Sequence, residues 1–232
     1  MFCKKAEKLL SVILSVAVLL SAVPLNLAGA FEDTDFQGFE LIAGTDFVDG
    51  DVWGFTAGAG ASVTVTQDVY NSFLTASGSG SGSRSVVKVL DSPTDDELVY
   101  VTFDWKPGNV STAENSSDVL FRDSDGNPVF RLVKAGGTNG AVQYGVGTEG
   151  TDLSENIAVT GISTDESWLS VNVLFDFSKQ TVSLKVVNLG ESTGFEALNI
   201  PLKPNRHDIS TISINRSEEH TSELQSQSNL VC

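Results

Sequence analysis

Trp168-Leu169-Ser170-Val171-Asn172-Val173-Leu174-Phe175-Asp176-Phe177 sets the fold class. Leu169, Val171, Val173, Phe175 and Phe177 occupy every second position, with Ser170, Asn172, Leu174 and Asp176 between them. Successive side chains of an extended strand point to opposite faces, so this spacing predicts one face on a core and one toward water. A helix needs apolar residues three and four positions apart, and no segment of the chain sustains that pattern.

The same period of two recurs on both sides. Val99, Val101, Phe103 and Trp105 alternate with Tyr100, Thr102 and Asp104, and Val182, Leu184 and Val186 alternate with Thr181, Ser183 and Lys185. Shorter strands are expected at Ala61–Thr66, Ser72–Ser77, Ser85–Leu90, Asp118–Arg122, Val129–Lys134, Val142–Val146, Ile157–Gly161, Phe195–Ile200 and Ile209–Ile214. Asp125-Gly126 predicts a hairpin between Leu120–Asp123 and Val129–Leu132, because Asp-Gly tolerates the positive φ such turns need. Pro107-Gly108, Gly136-Gly137 and Asn188–Gly190 punctuate elsewhere. Many short strands at this spacing imply an all-β, antiparallel sandwich or barrel. Ser77–Ser83, a Ser-Gly alternation, is too short for a domain linker and is expected to be a mobile loop within one domain.

The two ends of the chain differ from its middle. Lys4, Lys5 and Lys8 precede an apolar run from Leu9 to Val23, and Ala28-Gly29-Ala30 offers the small residues a signal peptidase requires. The run is shorter than the roughly 20 residues of a spanning helix, and Pro24 and Asn26 follow it. Residues 1–30 therefore read as a cleaved signal peptide, with a mature chain starting at Phe31 and a secreted or cell-surface bacterial location. At the other end, Arg216 to Ser226 resembles one reading frame of a short-read sequencing adapter. Asn229, Leu230, Val231 and Cys232 fit the codons that follow that adapter's index. Residues 216–232 thus read as a non-native tail that should pack on nothing. Residues 31–215 remain as one sandwich domain, expected to lack its final strand.

Charge narrows the partners. The chain has 14 basic and 30 acidic residues, a net charge of −16. Setting both ends aside removes Lys4, Lys5, Lys8 and Arg216 and also Glu7, Glu218, Glu219 and Glu223, so the balance does not change. Clustered Lys and Arg, which neutralise phosphates in nucleic-acid binding, are not present. The excess of carboxylates equally opposes an anionic membrane surface. Cys3 and Cys232 lie in the two end segments, so residues 31–215 hold no disulfide and no thiolate metal site. His207 is the one histidine between them, too few for a His-based zinc site; in Asn205-Arg206-His207-Asp208 it reads as a loop residue.

Phe103-Asp104-Trp105-Lys106, the stretch Trp168–Phe177, Thr181–Val187, and the opening Phe31-Glu32-Asp33 with Asp51-Val52-Trp53-Gly54-Phe55 carry a family resemblance. Together they resemble the jelly-roll modules beside pectate lyases and other polysaccharide-degrading catalytic domains of secreted bacterial enzymes, themselves similar to concanavalin-type lectin sandwiches. The resemblance implies a jelly roll whose final strand, with an Asp pair, follows the segment equivalent to Ile209–Asn215. It also implies that Glu32 and Asp33 could ligate a structural calcium. No other cofactor is expected. Asp123-Ser124-Asp125-Gly126-Asn127 resembles the start of a calcium loop, but Lys134 stands where the twelfth-position Glu belongs, so a hairpin turn is the better reading.

Function is read from side chains on presumed polar faces. Tyr100 and Tyr144, on presumed polar faces, are candidates for stacking on sugar rings, and Tyr100, Arg122, Arg131 and Asn172 are expected to share one exposed sheet face that mixes stacking with hydrogen bonds. Trp105 shares parity with Val99, Val101 and Phe103 and reads as core. Trp53 reads as cover for one end of the sandwich, and Trp168 fits either role. Asp104 and Asp176, carboxylates embedded in strong strands, read as solvated strand residues rather than a glycosidase pair. The expected function is a non-catalytic carbohydrate-binding module at the N-terminus of a secreted polysaccharide-degrading enzyme. Its partners would be a polysaccharide, plant cell-wall glycan first among them, and a downstream domain of the same chain. The alternative is a structural or adhesive sandwich domain of a large bacterial cell-surface protein.

Overall fold

In the computed structural model, residues 41–45, 47, 49–67, 72–78, 84–94, 97–107, 116–135, 141–149, 155–163, 167–216 and 222–231 are described. Glu32 and Asp33, the expected signal peptide and the Gly-Ser stretch 79–83 lie outside them. The described residues contain fifteen strands and no helix. In order they are β1 (Leu41–Thr45), β2 (Thr56–Ala57), β3 (Ala61–Gln67), β4 (Ser72–Gly78), β5 (Arg84–Thr94), β6 (Leu98–Lys106), β7 (Ser116–Arg122), β8 (Pro128–Ala135), β9 (Val142–Val146), β10 (Ile157–Ala158), β11 (Leu169–Asp176), β12 (Thr181–Asn188), β13 (Thr193–Pro201), β14 (Ile209–Arg216) and β15 (Ser222–Val231).

They form two antiparallel sheets. The eight-stranded sheet runs β13-β12-β11-β6-β15-β4-β3, with β1 also paired to β15, and the seven-stranded sheet runs β10-β9-β8-β7-β14-β5-β2. The architecture is the expected all-β jelly-roll sandwich. The alternating segments sit at the middle of the first sheet. There β6 and β11 pair without a break from Leu98–Asp176 to Trp105–Leu169. Their apolar parity meets the other sheet in a shared core. Trp105, Phe121, Phe130, Phe175, Leu169 and Leu184 are fully buried. Phe121 lies 5.7 Å from Phe175 and 6.2 Å from Phe103 between ring centroids. The hairpin of β7 and β8 turns where Asp-Gly stands: Gly126 has φ 81°, and its N–H donates to the Asp123 carbonyl at 3.0 Å. Asp123 Oδ1 also accepts from the Asn127 N–H at 2.7 Å, so Asp123 organises the expected hairpin turn.

Ser222–Val231, within the tail expected to pack on nothing, form a strand instead. Rather than packing on nothing, β15 lies inside the eight-stranded sheet. Ser222–Gln225 pair with Ala76–Phe73 of β4, and Glu223–Gln225 pair with Lys106–Asp104 of β6. The register then breaks, resuming at Asn229–Val231 opposite Thr102–Tyr100. The physical reason is the ladder. β4 and β6 present unpaired backbone groups to each other across one strand's width, and any extended backbone can satisfy them.

Candidate functional site

The four residues expected on one face, and Tyr144 expected on a polar one, are distributed over three environments. Tyr100 and Asn172 lie on the outer face of the eight-stranded sheet, on β6 and β11. The Tyr100 hydroxyl donates to Asn172 Oδ1, and Thr102 Oγ1 donates to the same oxygen at 3.2 Å. Arg122 and Arg131 lie on the outer face of the other sheet, on β7 and β8, which corrects the single-face arrangement.

Tyr144 corrects the expectation further. Its register partner in β8 is Leu132, which places it on the core parity of β9. It is 6% exposed and stacks on Phe130 at 6.3 Å. Burial raises its phenol pKa above the ordinary value. The signal was present in the sequence: Val142, Tyr144 and Val146 share one parity, and the hydroxyl was given more weight than the alternation.

Arg131 is fully buried rather than exposed. Its Nε and Nη2 donate to Asp118 Oδ2 at 3.0 and 2.8 Å, and Asn215 Nδ2 donates to Asp118 Oδ1 at 2.6 Å. Burial raises the Asp118 carboxyl above its usual pKa, against the opposing pull of Arg131 and Asn215. Leu120 and Val133, on the same outer face, are also buried, so the centre of this sheet is closed on both sides. The near-continuous apolar run Val129–Val133 is what such a strand looks like in sequence. Arg122 is partly exposed and pairs with Glu149 at 2.5 Å.

The outer face of the eight-stranded sheet is different. Tyr100, Thr102, Asp104 and Lys106 of β6 and Ser170 and Asn172 of β11 are all half-buried, their side chains reaching solvent. Trp168 stands at the start of β11, also half-buried, with the Phe73 ring 5.7 Å away edge-on and Lys106 Nζ 5.9 Å from its own ring centroid. Sequence reasoning left Trp168 undecided; its parity opposite Leu169 assigns it to this face. Burial raises Asp104 above the usual carboxylate range, while a hydrogen bond from Ser170 opposes the shift.

Asp104 and Asp176 share this face but stand at opposite ends of the β6–β11 pair, opposite Ser170 and Leu98. Six residues of strand separate the two positions, about 20 Å, well beyond the separation of two carboxylates flanking a scissile glycosidic bond. Asp176 is a turn organiser instead. Its Oδ1 accepts from Ser178 Oγ at 2.7 Å and from the Lys179 N–H at 2.9 Å, and Lys179 Nζ lies 2.6 Å from Oδ2. Burial would raise its pKa, but these hydrogen bonds together outweigh burial and lower it. Trp105 is core, as expected. Trp53 packs on Phe55 at 6.0 Å under Lys88 Nζ, covering part of the core. His207 is an exposed loop residue. Among the described residues no group of three or more His, Cys, Asp or Glu is placed to hold a metal ion.

No family model matches the chain, and no curated protein matches it. Solved structures do. The chain is similar to a carbohydrate esterase of the Shiga toxin-encoding bacteriophage phi24B, with TM-score 0.58 and 10% identity over 84% of this chain and 99% of that one. It is similar to lectin II of Ulex europaeus, with TM-score 0.52 and 8% identity over 78% and 93% of the two chains. A GH131 β-glucanase catalytic domain from Podospora anserina gives TM-score 0.53 and 12% identity over 82% and 95%. At these identities the likeness shows the lectin-like jelly-roll fold.

Proposed function

We propose that this domain binds carbohydrate, without catalysis, through the outer face of its eight-stranded sheet. The observation that carries the reading is the half-exposed array Tyr100, Thr102, Asp104, Ser170 and Asn172, closed at one end by Trp168. It sets hydroxyl, amide and carboxylate groups beside aromatic rings on one rigid sheet, the mixture that a sugar's hydroxyls and apolar ring faces require. Fold alone does not choose a function, since the solved structures it is similar to include both lectins and enzymes. What supports binding over bond cleavage is the distance between Asp104 and Asp176 and the turn-forming role of the latter.

The wider setting proposed is a secreted or surface-located bacterial protein in which this domain precedes a polysaccharide-degrading domain, with plant cell-wall glycan as its target. The proposed signal peptide at residues 1–30 supports export. The codon pattern supports a foreign origin for residues 216–232, and re-assembly of the source reads after adapter trimming tests it. Electrophoresis of the purified chain through gels containing glucans, xylans, pectins or mucins tests the binding reading. Retardation by at least one glycan, with dissociation constants of about micromolar to millimolar for so shallow a face, is expected. Uniform mobility in every gel would transfer support to a structural or adhesive role, and release of sugar from any of them would overturn the non-catalytic reading.

A further inference from the structure

The outer face of the eight-stranded sheet is elongated, and its aromatic residues stand at its two ends. Trp168 lies against Lys106, at one end of β6, and Tyr100 lies six residues further along the same strand. At the rise of an extended strand this is a span of about 20 Å. Between them stand Thr102, Asp104, Ser170 and Asn172, in two adjacent, unbroken rows set by the Ser170–Asp104 and Asn172–Thr102 register pairs. Among the described side chains of β6 and β11, none large and apolar stands between the two rings. A single sugar ring cannot reach both aromatic residues; several rings joined end to end can.

Charge selects among such chains. The face carries Asp104, Asp176 and Glu196 against Lys106 and Lys185, with Lys185 opposite Glu196 and Lys106 opposite Glu223 in register, so it offers no excess of positive charge. The chain as a whole has a net charge of −16, which repels a polyanion approaching any surface of the molecule. Resting on the carbohydrate-binding reading above, we infer that the face accepts an extended, uncharged glycan of several rings laid along β6 and β11, with Trp168 and Tyr100 as its terminal stacking positions. Polyuronates are disfavoured by the same electrostatics.

Titration calorimetry with neutral β-linked oligosaccharides of two to six rings, and with polygalacturonate, tests this. Affinity should rise with length until the track is filled, and polygalacturonate should bind more weakly than neutral chains of equal length. Trp168→Ala should weaken the longest oligosaccharide by about fivefold, the worth of one aromatic contact, and affect the disaccharide less. Trp168→Phe should recover part of the loss, and it keeps the experiment readable should the alanine variant fold poorly. A disaccharide bound as tightly as a hexasaccharide, or a preference for polygalacturonate, would overturn the inference while leaving carbohydrate binding in place. Binding of no oligosaccharide and no polysaccharide would overturn both.

Discussion

The two outer faces of this sandwich are built from the same kind of strand and end in opposite states. On the eight-stranded sheet, Tyr100, Thr102, Asp104, Ser170 and Asn172 reach solvent. On the seven-stranded sheet, Asp118, Leu120, Arg131 and Val133 are buried, and the charge of Arg131 is met by Asp118 at 2.8 Å. A polar residue on a strand therefore has two fates. Where the face is open it is a potential contact for a ligand. Where the face is closed it must find its partner inside the protein, because a buried unpaired charge is too costly. Arg131 and Asn172 looked equivalent in sequence, and the difference between their faces separates them.

The largest effect that sharpens this contrast concerns the first sheet's continuity. Ending the chain after Arg216 removes β15 and leaves the facing edges of β4 and β6 without partners. Open ladders beside an apolar core favour pairing between molecules. The shortened chain is expected to self-associate in analytical ultracentrifugation, and a monomer with unchanged melting would show that β15 contributes nothing to the sheet.

Next in size is the closed face. Arg131→Met strands the Asp118 carboxylate in a buried site, and the expected destabilisation is about 3–5 kcal/mol by urea unfolding. Adding Asp118→Leu should recover most of that loss, because an apolar pair of similar volume does not need the charge balance. A double variant as unstable as the single one would mean that the cost comes from packing rather than from the ion pair.

Asp176 gives a smaller effect with a defined pH sign. Its pKa is lowered in the folded protein, so its stabilisation is complete above the ordinary carboxylate value of about 3.9 and fades as pH falls through the lower folded value. Asp176→Asn should therefore be less stable than the parent at neutral pH, and the difference should shrink in melting curves recorded progressively below about pH 4. A gap that stays constant with pH would assign the loss to the turn's hydrogen bonds alone.

The alternation in Leu169–Phe177 and Val99–Trp105 announced the fold because both strands have one wet face, and there the sequence records burial directly. The same rule was strained at Val129–Val133, where both faces are buried and Arg131 gives the single polar mark. Short pairings such as β2 and β10 have two residues each, too few to show a period. The place of β15 was not legible at all, because Ser222–Val231 has three apolar residues in ten and its position is imposed by the edges of β4 and β6. As for the candidate site, Tyr100 and Asn172 were expected on one face and lie on one face. Trp168 stayed open between two roles because its exposure depends on where the strand starts, and Tyr144 was expected on a polar face because its hydroxyl masked a core parity.

The most direct test of the central claim, that the open face of the eight-stranded sheet is the carbohydrate face, compares one residue from each face. Asn172→Ala and Arg122→Ala each remove a partly exposed polar side chain from the middle or rim of a sheet, and each is expected to alter stability by no more than about 1 kcal/mol. Retardation in a gel carrying the best neutral glycan should fall for Asn172→Ala and stay at the parent value for Arg122→Ala. Loss of retardation in Arg122→Ala with full retention in Asn172→Ala would contradict the account and move the site to the other sheet.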